Sequence, residues 1–168
     1  MEPLKIKKLD AAKSQLETAI LLFFDDGDPI SIHTLACAAY DIIDGVNQHR
    51  GGKEMWVKRR YTQLRGRPTR ADINDVQNFL KHADRDPEGT LDFFPLMTEP
   101  MLADASRTYI ELTRDPSPVL EVMLRWFHCR GGKDHFDWPE DKHRLRDELL
   151  ALFAQGDRRG FFARCTHP

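Results

Sequence analysis

Cysteine is scarce in this chain. Three cysteines occur among 168 residues, Cys37, Cys129 and Cys165, and no two of them form a CxxC motif. The odd number and the wide spacing exclude the disulfide frameworks of small secreted domains and a cysteine-based zinc knot. The cysteine usage therefore predicts a reducing compartment.

Long apolar runs are also missing. The longest, AILLFF and LACAAY, are far too short to span a bilayer. The first residues, MEPLKIKKLD, lack the apolar stretch of a secretory signal. A net charge of −2 produces no global field that favours nucleic acid or a membrane surface. We therefore expect a soluble, cytoplasmic protein of bacterial type with no membrane partner.

Strand-like alternation of useful length is absent too, and helical periodicity dominates the chain. Leu9, Leu16 and Ile20 share one stripe and predict a first helix that ends at DDGD. Asp28 is suited to cap a second helix, with Pro29 at its first position. Further helices are predicted to start near Thr69, Thr98, Asp115 or Ser117, and Asp137, before a short turn that offers Phe161 and Phe162 to the core.

The pattern predicts an all-α fold. We expect residues 1–168 to form a single-domain bundle of five to six helices, with an irregular basic loop or excursion at 50–70 between the second and third helices. Second-helix positions such as Ile32, Leu35 and Ile43 form its apolar stripe, and His33 and Tyr40 fall off that stripe. A hydrogen bond to a tyrosine, the backbone or water is one interpretation of His33; a binding role beside the third helix is the other.

Residues 50–70 concentrate positive charge. They hold eight Lys or Arg against one acid, Glu54, with Trp56 and Tyr61 interleaved. Basic side chains with aromatics suit phosphate contact and base stacking. The open alternative is a basic loop docked on an acidic face of its own fold or of a second copy, supplied by FFDDGD or HADRDPEG. The predicted binding residues are Arg59, Arg60, Arg65, Arg67, Trp56, Tyr61 and His33.

The stretch VQNFLKHADRDPEG carries the candidate catalytic residues. On a helical wheel Asn78 and His82 are i, i+4 neighbours that point away from the apolar side formed by Ile73, Val76, Leu80 and Ala83, with Lys81 at the flank. A solvated helix face is one interpretation. In the other, Asn78, Lys81 and His82 hold a phosphate and move a proton.

Metal binding and thiol catalysis are less well supported by the spacing. His82, Asp84 and Asp86 could be joined by His33 or Glu17, but no HxxxH pair is present and the ExxH of Glu140 and His143 is single. Adjacent His128 and Cys129 diverge on a helix and are poorly placed for a catalytic hydrogen bond. We predict no metal and no cofactor.

The segments SQLETAILLFF, HTLACAAYDII and NFLKHAD resemble small bacterial helical proteins of the HEPN type. The resemblance implies an up-and-down bundle, often dimeric, in a family with many toxin or defence ribonucleases and nucleotide binders. Catalytic members place an Arg shortly before a His, whereas the matching positions here are Asp75, Val76 and Gln77. RGGKDH has the spacing, but a glycine follows its Arg. An uncharacterised bacterial family with the signature NFLKHADRDP fits equally.

Two functions follow as hypotheses. The first is RNA or nucleotide binding, with possible cleavage in which His82 acts as general acid or base and Lys81 stabilises developing charge. The second is a non-enzymatic interaction or self-assembly module, with a homodimer as one form of it. Whether the protein is an enzyme is left open, and a metal-dependent hydrolase is a distant third.

Overall fold

The computed structural model describes residues 2–65, 70–82, 84–131 and 142–167, with the backbone alone for 61–65 and 70–74. Within these ranges every regular element is helical, which confirms the all-α class. The number of helices was predicted wrongly, because eight α-helices are described rather than five or six. They are α1 Lys8–Phe24, α2 Pro29–His49, α3 Trp56–Arg65, α4 Arg70–Lys81, α5 Thr98–Thr113, α6 Pro118–Cys129, α7 His143–Gln155 and α8 Arg158–Thr166, with a short 3₁₀ turn at Pro95–Met97.

The two additional helices are α3, inside the supposed irregular loop, and α8, where only a turn was predicted. In α3 four of the ten residues are Lys or Arg, and this charge led the segment to be interpreted as a basic loop. Its first turn is held by a distant residue, since the Val57 N–H donates to Asp104 Oδ2 at 2.9 Å. A carboxylate from α5 thus satisfies one of the donors that a helix N-terminus leaves free. In α8 the cap is local, and Asp157 accepts from the Gly160 N–H at 2.8 Å.

Several helix starts were predicted correctly because their caps are local. The Asp28 side chain accepts from the Ser31 N–H at 2.7 Å, and Pro29 occupies the first position of α2. At the start of α6, Ser117 accepts from the Leu120 N–H at 3.4 Å. Gly156 ends α7 with φ of 71°, a left-handed conformation that glycine adopts without steric cost. The predicted start near Asp137 lies outside the described residues.

Helix α2 is central, packing against α1 on one side and α5 on another. Its buried side chains consequently cover more than one stripe and include His33 and Tyr40, which are 3% and 1% exposed. The wheel that placed both residues off the buried face of α2 was therefore wrong. A helix enclosed by neighbours buries polar side chains only when those neighbours supply hydrogen-bond partners.

The core joins α1, α2, α5 and α6 with the C-terminal helices. Its aromatic part is a chain of ring contacts: Trp126 meets Phe24 edge-on at 5.7 Å and Phe153 at 4.7 Å between centroids, and Phe161 stacks on Phe24 at 6.2 Å. The prediction that Phe161 enters the core is confirmed, and Phe162 is half-buried. Helix α3 contacts α5, and α4 contacts α2, so the candidate residues of α3 and α4 lie on helices beside this core, whereas His33 of α2 is buried. In the described ranges each helix is too short or too polar to cross a membrane.

Candidate functional site

The polar row of the sequence lies at the end of α4. Lys81 is the last residue of α4, and the following His82 still donates its backbone N–H to Asn78 O at 3.0 Å. The His82 side chain is 42% exposed, with Nδ1 4.0 Å from Asp84 Oδ1. Its ring therefore reaches solvent, as the wheel predicted. Asn78 is half-buried and Lys81 exposed.

The buried residue of α4 in the described part is not the expected apolar one. Gln77 is 6% exposed, while Val76 and Leu80 are half-buried. The side chain of Ile73, and Ala83 as a whole, lie outside the described residues. This end of α4 faces α2, because the Lys81 charge acts on the Cys37 thiol.

His33 lies in the interior of the bundle. Its Nδ1 is 2.8 Å from Thr98 Oγ1, its Nε2 is 3.3 Å from Cys37 Sγ, and the Phe93 ring lies at 5.0 Å between centroids. Burial lowers the pKa of His33. His33 is thus hydrogen-bonded in the interior, but its partners are a threonine and a thiol rather than the tyrosine, backbone or water that was predicted. Its binding role stays a prediction.

The sequence analysis missed Cys37. Burial, and after it the Asp41 charge, raise the pKa of its thiol to about 12, against the opposing charge of Lys81. An HxxxC spacing on a helix brings the two side chains together, just as HxxxH would. The signal was therefore present in the sequence.

Part of the basic segment at residues 50–70 pairs with groups of the protein's own fold. Lys58 Nζ lies 2.5 Å from Asp44 Oδ2 and 5.6 Å from the centre of the Tyr40 ring, and its side chain is only 13% exposed. Arg50 donates to Leu112 O at 3.1 Å, at the C-terminal end of α5. The docking alternative thus describes these two residues. Their acceptors are Asp44 and a carbonyl, rather than the FFDDGD and HADRDPEG segments that were expected to serve.

Asp104 joins α2, α3 and α5. The Tyr40 hydroxyl donates to Asp104 Oδ2 at 3.0 Å, and Arg107 contacts Oδ1 at 2.8 Å. With the Val57 N–H, three donors from three helices converge on a carboxylate that is 2% exposed. Burial, and then the neighbouring carboxylate, raise the pKa of Tyr40, so its hydroxyl is a permanent donor.

A cleft of about 350 Å³ opens beside this carboxylate, between the loop after α2, the start of α3 and α5. It brings the predicted binding residues Trp56 and Arg59 together with Arg107, which the sequence analysis did not single out. Trp56 is oriented by an edge-on contact with Phe127, 6.1 Å between ring centres. The remaining lining residues are Asn47, Gly52, Lys53, Glu54, Met55, Asp104, Thr108 and Glu111.

Other predicted residues do not line this cleft. Arg60 is exposed further along α3, and Asn78, Lys81, His82 and His33 are not among its lining residues. The side chains of Tyr61 and Arg65, and all of Arg67, lie outside the described residues. The predicted binding set is therefore divided between a cleft, the outer face of α3 and an interior histidine.

An apolar surface segment follows the polar row. Leu91, Phe94, Leu96 and Met97 are 37%, 69%, 71% and 51% exposed. Side chains of this size gain little from packing when so much of their surface meets water. Consecutive exposed apolar residues of this kind mark a contact surface more often than isolated ones do.

The metal and thiol sites that were weighed from the sequence have little geometric support in the described residues. In the part of the chain that the structure describes, no group of three or more His, Cys, Asp or Glu side chains could hold a metal ion. Cys129 is buried at the end of α6, where burial raises the pKa of its thiol to about 11. Most of the RGGKDH motif lies outside the described residues. No family model, curated protein or solved structure matches the chain.

Proposed function

We propose that this protein binds RNA or a nucleotide in the cleft between the loop after α2, α3 and α5. One observation carries the proposal: Trp56, Arg59 and Arg107 come from separate turns and helices and line one concavity. An aromatic face with guanidinium groups beside it is suited to stack a base and to bind a phosphate.

The charges of the cleft favour a nucleotide-sized ligand over a bare polyanion. Lys53, Arg59 and Arg107 line it, but so do Glu54, Asp104 and Glu111. The Asp104 charge is already bonded to Arg107 inside the protein. A ligand that presents hydrogen-bond donors as well as an anionic group fits such a mixed lining, and a nucleotide has both.

The outer face of α3 extends the positive surface. Arg59 and Arg60 are both exposed there, in contrast to Lys58, which is turned inward. Exposed arginines along a helix attract phosphates over a longer range than the cleft itself reaches. A longer RNA would therefore contact α3 while one nucleotide occupies the cleft.

Cleavage is a separate part of the proposal. Asn78, Lys81 and His82 are the candidate catalytic groups, with His82 as general acid or base and Lys81 as the stabilising charge. They do not line the cleft. Loss of cleavage in His82→Ala with retained binding would assign the two steps to different surfaces.

Fluorescence anisotropy with a labelled single-stranded RNA and with a labelled nucleotide tests binding. Arg59→Ala should weaken binding about tenfold, equivalent to about 1.4 kcal/mol. The matched control is Arg144→Ala, an exposed arginine of α7. Affinity for RNA should fall steeply as salt is raised. Equal affinity for the two variants, or an affinity that salt does not change, contradicts the proposal.

The second candidate function is a protein-interaction or self-assembly module, with a homodimer as one form of it. The exposed apolar side chains of residues 91–97 support it. Light scattering after size exclusion should give a lower mass for Leu96→Ser than for the wild type. His82→Ala should alter the mass as well if the polar row belongs to the same contact. An unchanged monomer mass in all three proteins would leave this candidate without support.

A further inference from the structure

The inference concerns the interior cluster at the first half of α2, which the proposed function does not use. Cys37 Sγ is 3.3 Å from His33 Nε2, and His33 Nδ1 is 2.8 Å from Thr98 Oγ1. The contacts link a nucleophile (Cys37), a base (His33) and a group that orients the base (Thr98) in that spatial order. That is the arrangement by which proteins activate a thiol.

The imidazole is held at both nitrogens, and its tautomer depends on the threonine. When Thr98 Oγ1 accepts a hydrogen bond from the Nδ1–H group, the lone pair of Nε2 faces the thiol and can take the proton of the thiol. The charged groups that act on the thiol are Asp41 on α2 and Lys81 from α4. The Lys81 ammonium favours a thiolate, so α4 as well as α2 contributes charge to the cluster.

In the closed structure the thiol is protected. Cys37 is 2% exposed, and its raised pKa keeps it protonated at neutral pH. A buried, protonated cysteine is inert. Reaction therefore requires that something move away from the cluster.

The segment at residues 90–97, which follows α4 and leads into α5, lies against the His33 end of the cluster. Residues 90–94 have no regular structure, and Phe93 places its ring against His33. Its outer side chains, Phe94, Leu96 and Met97, are at least half exposed. Residues 90–94 lack helical hydrogen bonds, and segments of that kind open at low free energy.

We propose that Cys37 is a gated nucleophile for soft carbon electrophiles, with His33 as its base, Thr98 as the group that orients the base, and residues 90–97 as the gate. When the gate opens, the Cys37 proton passes to His33 Nε2 and the sulfur forms a bond to the electrophilic carbon. The bond from that carbon to its leaving group breaks, and the leaving group departs with the electron pair. His33 then releases the proton to solvent. Thr98 is a positioning residue, because it acts through His33.

Iodoacetamide is the probe, and iodide is its leaving group. The full-length chain is alkylated for increasing times, and the modified fraction of each cysteine is measured by peptide mass spectrometry. Cys129 and Cys165 in the same molecule report any general loosening. Phe93→Ala should raise the alkylation rate of Cys37 about tenfold or more, because it removes the ring from His33, and should leave the other two rates unchanged.

A second variant separates activation from exposure. His33→Gln in the Phe93→Ala background retains a side chain that can hydrogen-bond but cannot take the proton. It should slow Cys37 alkylation and shift its pH dependence to higher pH, with Asp41 and Lys81 unchanged in both proteins. Circular dichroism confirms that each variant is folded.

The proposal is overturned by three outcomes. The first is an alkylation rate of Cys37 in folded Phe93→Ala equal to that of the wild type, which would show that residues 90–97 do not gate the thiol. A parallel rise at all three cysteines would show global loosening instead of a gate. An equal rate and pH profile with and without His33 would remove the base and leave only an exposed thiol.

Discussion

Two polar clusters lie along α2, and their buried polar groups are partnered in different ways. The first, at His33, Cys37 and Thr98, is held by hydrogen bonds between uncharged side chains. Burial lowers the pKa of His33 and raises the pKa of Cys37, and both shifts favour the neutral form. The second, about two turns later, pairs Asp44 with Lys58 and Asp104 with Arg107, with Tyr40 between them. The carboxylates, His33, Cys37 and Tyr40 are buried, whereas the Arg107 side chain is half exposed. The first is covered by a segment without regular structure, and the second holds α3 on the bundle.

The difference shows what charge adds in an interior. A neutral cluster needs only matched donors and acceptors, so a loose cover can leave it without large cost. A carboxylate removed from water needs several partners at once, and these partners must be held by rigid elements. We therefore expect the second cluster to control stability and the first to control reactivity.

The largest effect should come from the carboxylate on which three helices converge. Asp104→Ala leaves the Tyr40 hydroxyl, the Val57 N–H and the Arg107 guanidinium without their acceptor, so the free energy of unfolding should fall by about 3 kcal/mol. Urea denaturation measures it. Asp104→Asn keeps an acceptor oxygen and should lose less. A loss below about 1 kcal/mol for the alanine variant would show that this cluster does not anchor α3.

A smaller effect is expected when one hydrogen bond of the same cluster is removed. Tyr40→Phe deletes the donor to Asp104 but keeps the ring under the Lys58 ammonium, so stability should fall by about 1 kcal/mol. A double-mutant cycle with Asp104→Asn should show a coupling of about 0.5 kcal/mol or more. Purely additive effects would mean that the hydroxyl and the carboxylate do not interact.

The neutral cluster should appear in the pH dependence. The pKa of His33 is lowered in the folded state, so the unfolded chain binds the proton more readily. The contribution of neutral His33 is complete above the unfolded pKa of about 6.5 and is lost as pH falls toward the lowered folded pKa. Unfolding free energies measured from pH 8 to pH 5 should therefore fall less for His33→Gln than for the wild type. Parallel curves for the two proteins would contradict this.

The smallest effect is expected on the outside of the cover. Phe94 is 69% exposed, so Phe94→Ser should change the free energy of unfolding by less than about 0.5 kcal/mol. Phe93→Ser is the matched control and should lose more, because that ring packs against His33. Equal losses would mean that the two faces of residues 90–97 are not distinct, and they would weaken the comparison between a loose cover and a rigid anchor.

The candidate site was predictable in its parts and not in its grouping. Trp56 and Arg59 were selected from composition, and they do share a cleft. Lys58, with the same charge and one position away from Arg59, was assigned to the same basic strip but is turned inward to Asp44. Neighbouring positions on a helix point about 100° apart, so the density of charge in a sequence does not reveal which basic side chains face water.

The sequence by itself determined the helical class and the helix starts at Asp28 and Ser117, because capping and periodicity act over three or four residues. Only the tertiary structure decided that α3 is a helix and that α2 buries His33 and Tyr40. The Val57 N–H finds its acceptor 47 residues away in Asp104, and His33 finds Thr98 65 residues away. A free backbone donor or a buried imidazole is stabilised by whichever partner packing brings near, and no local pattern records a partner so distant in the chain.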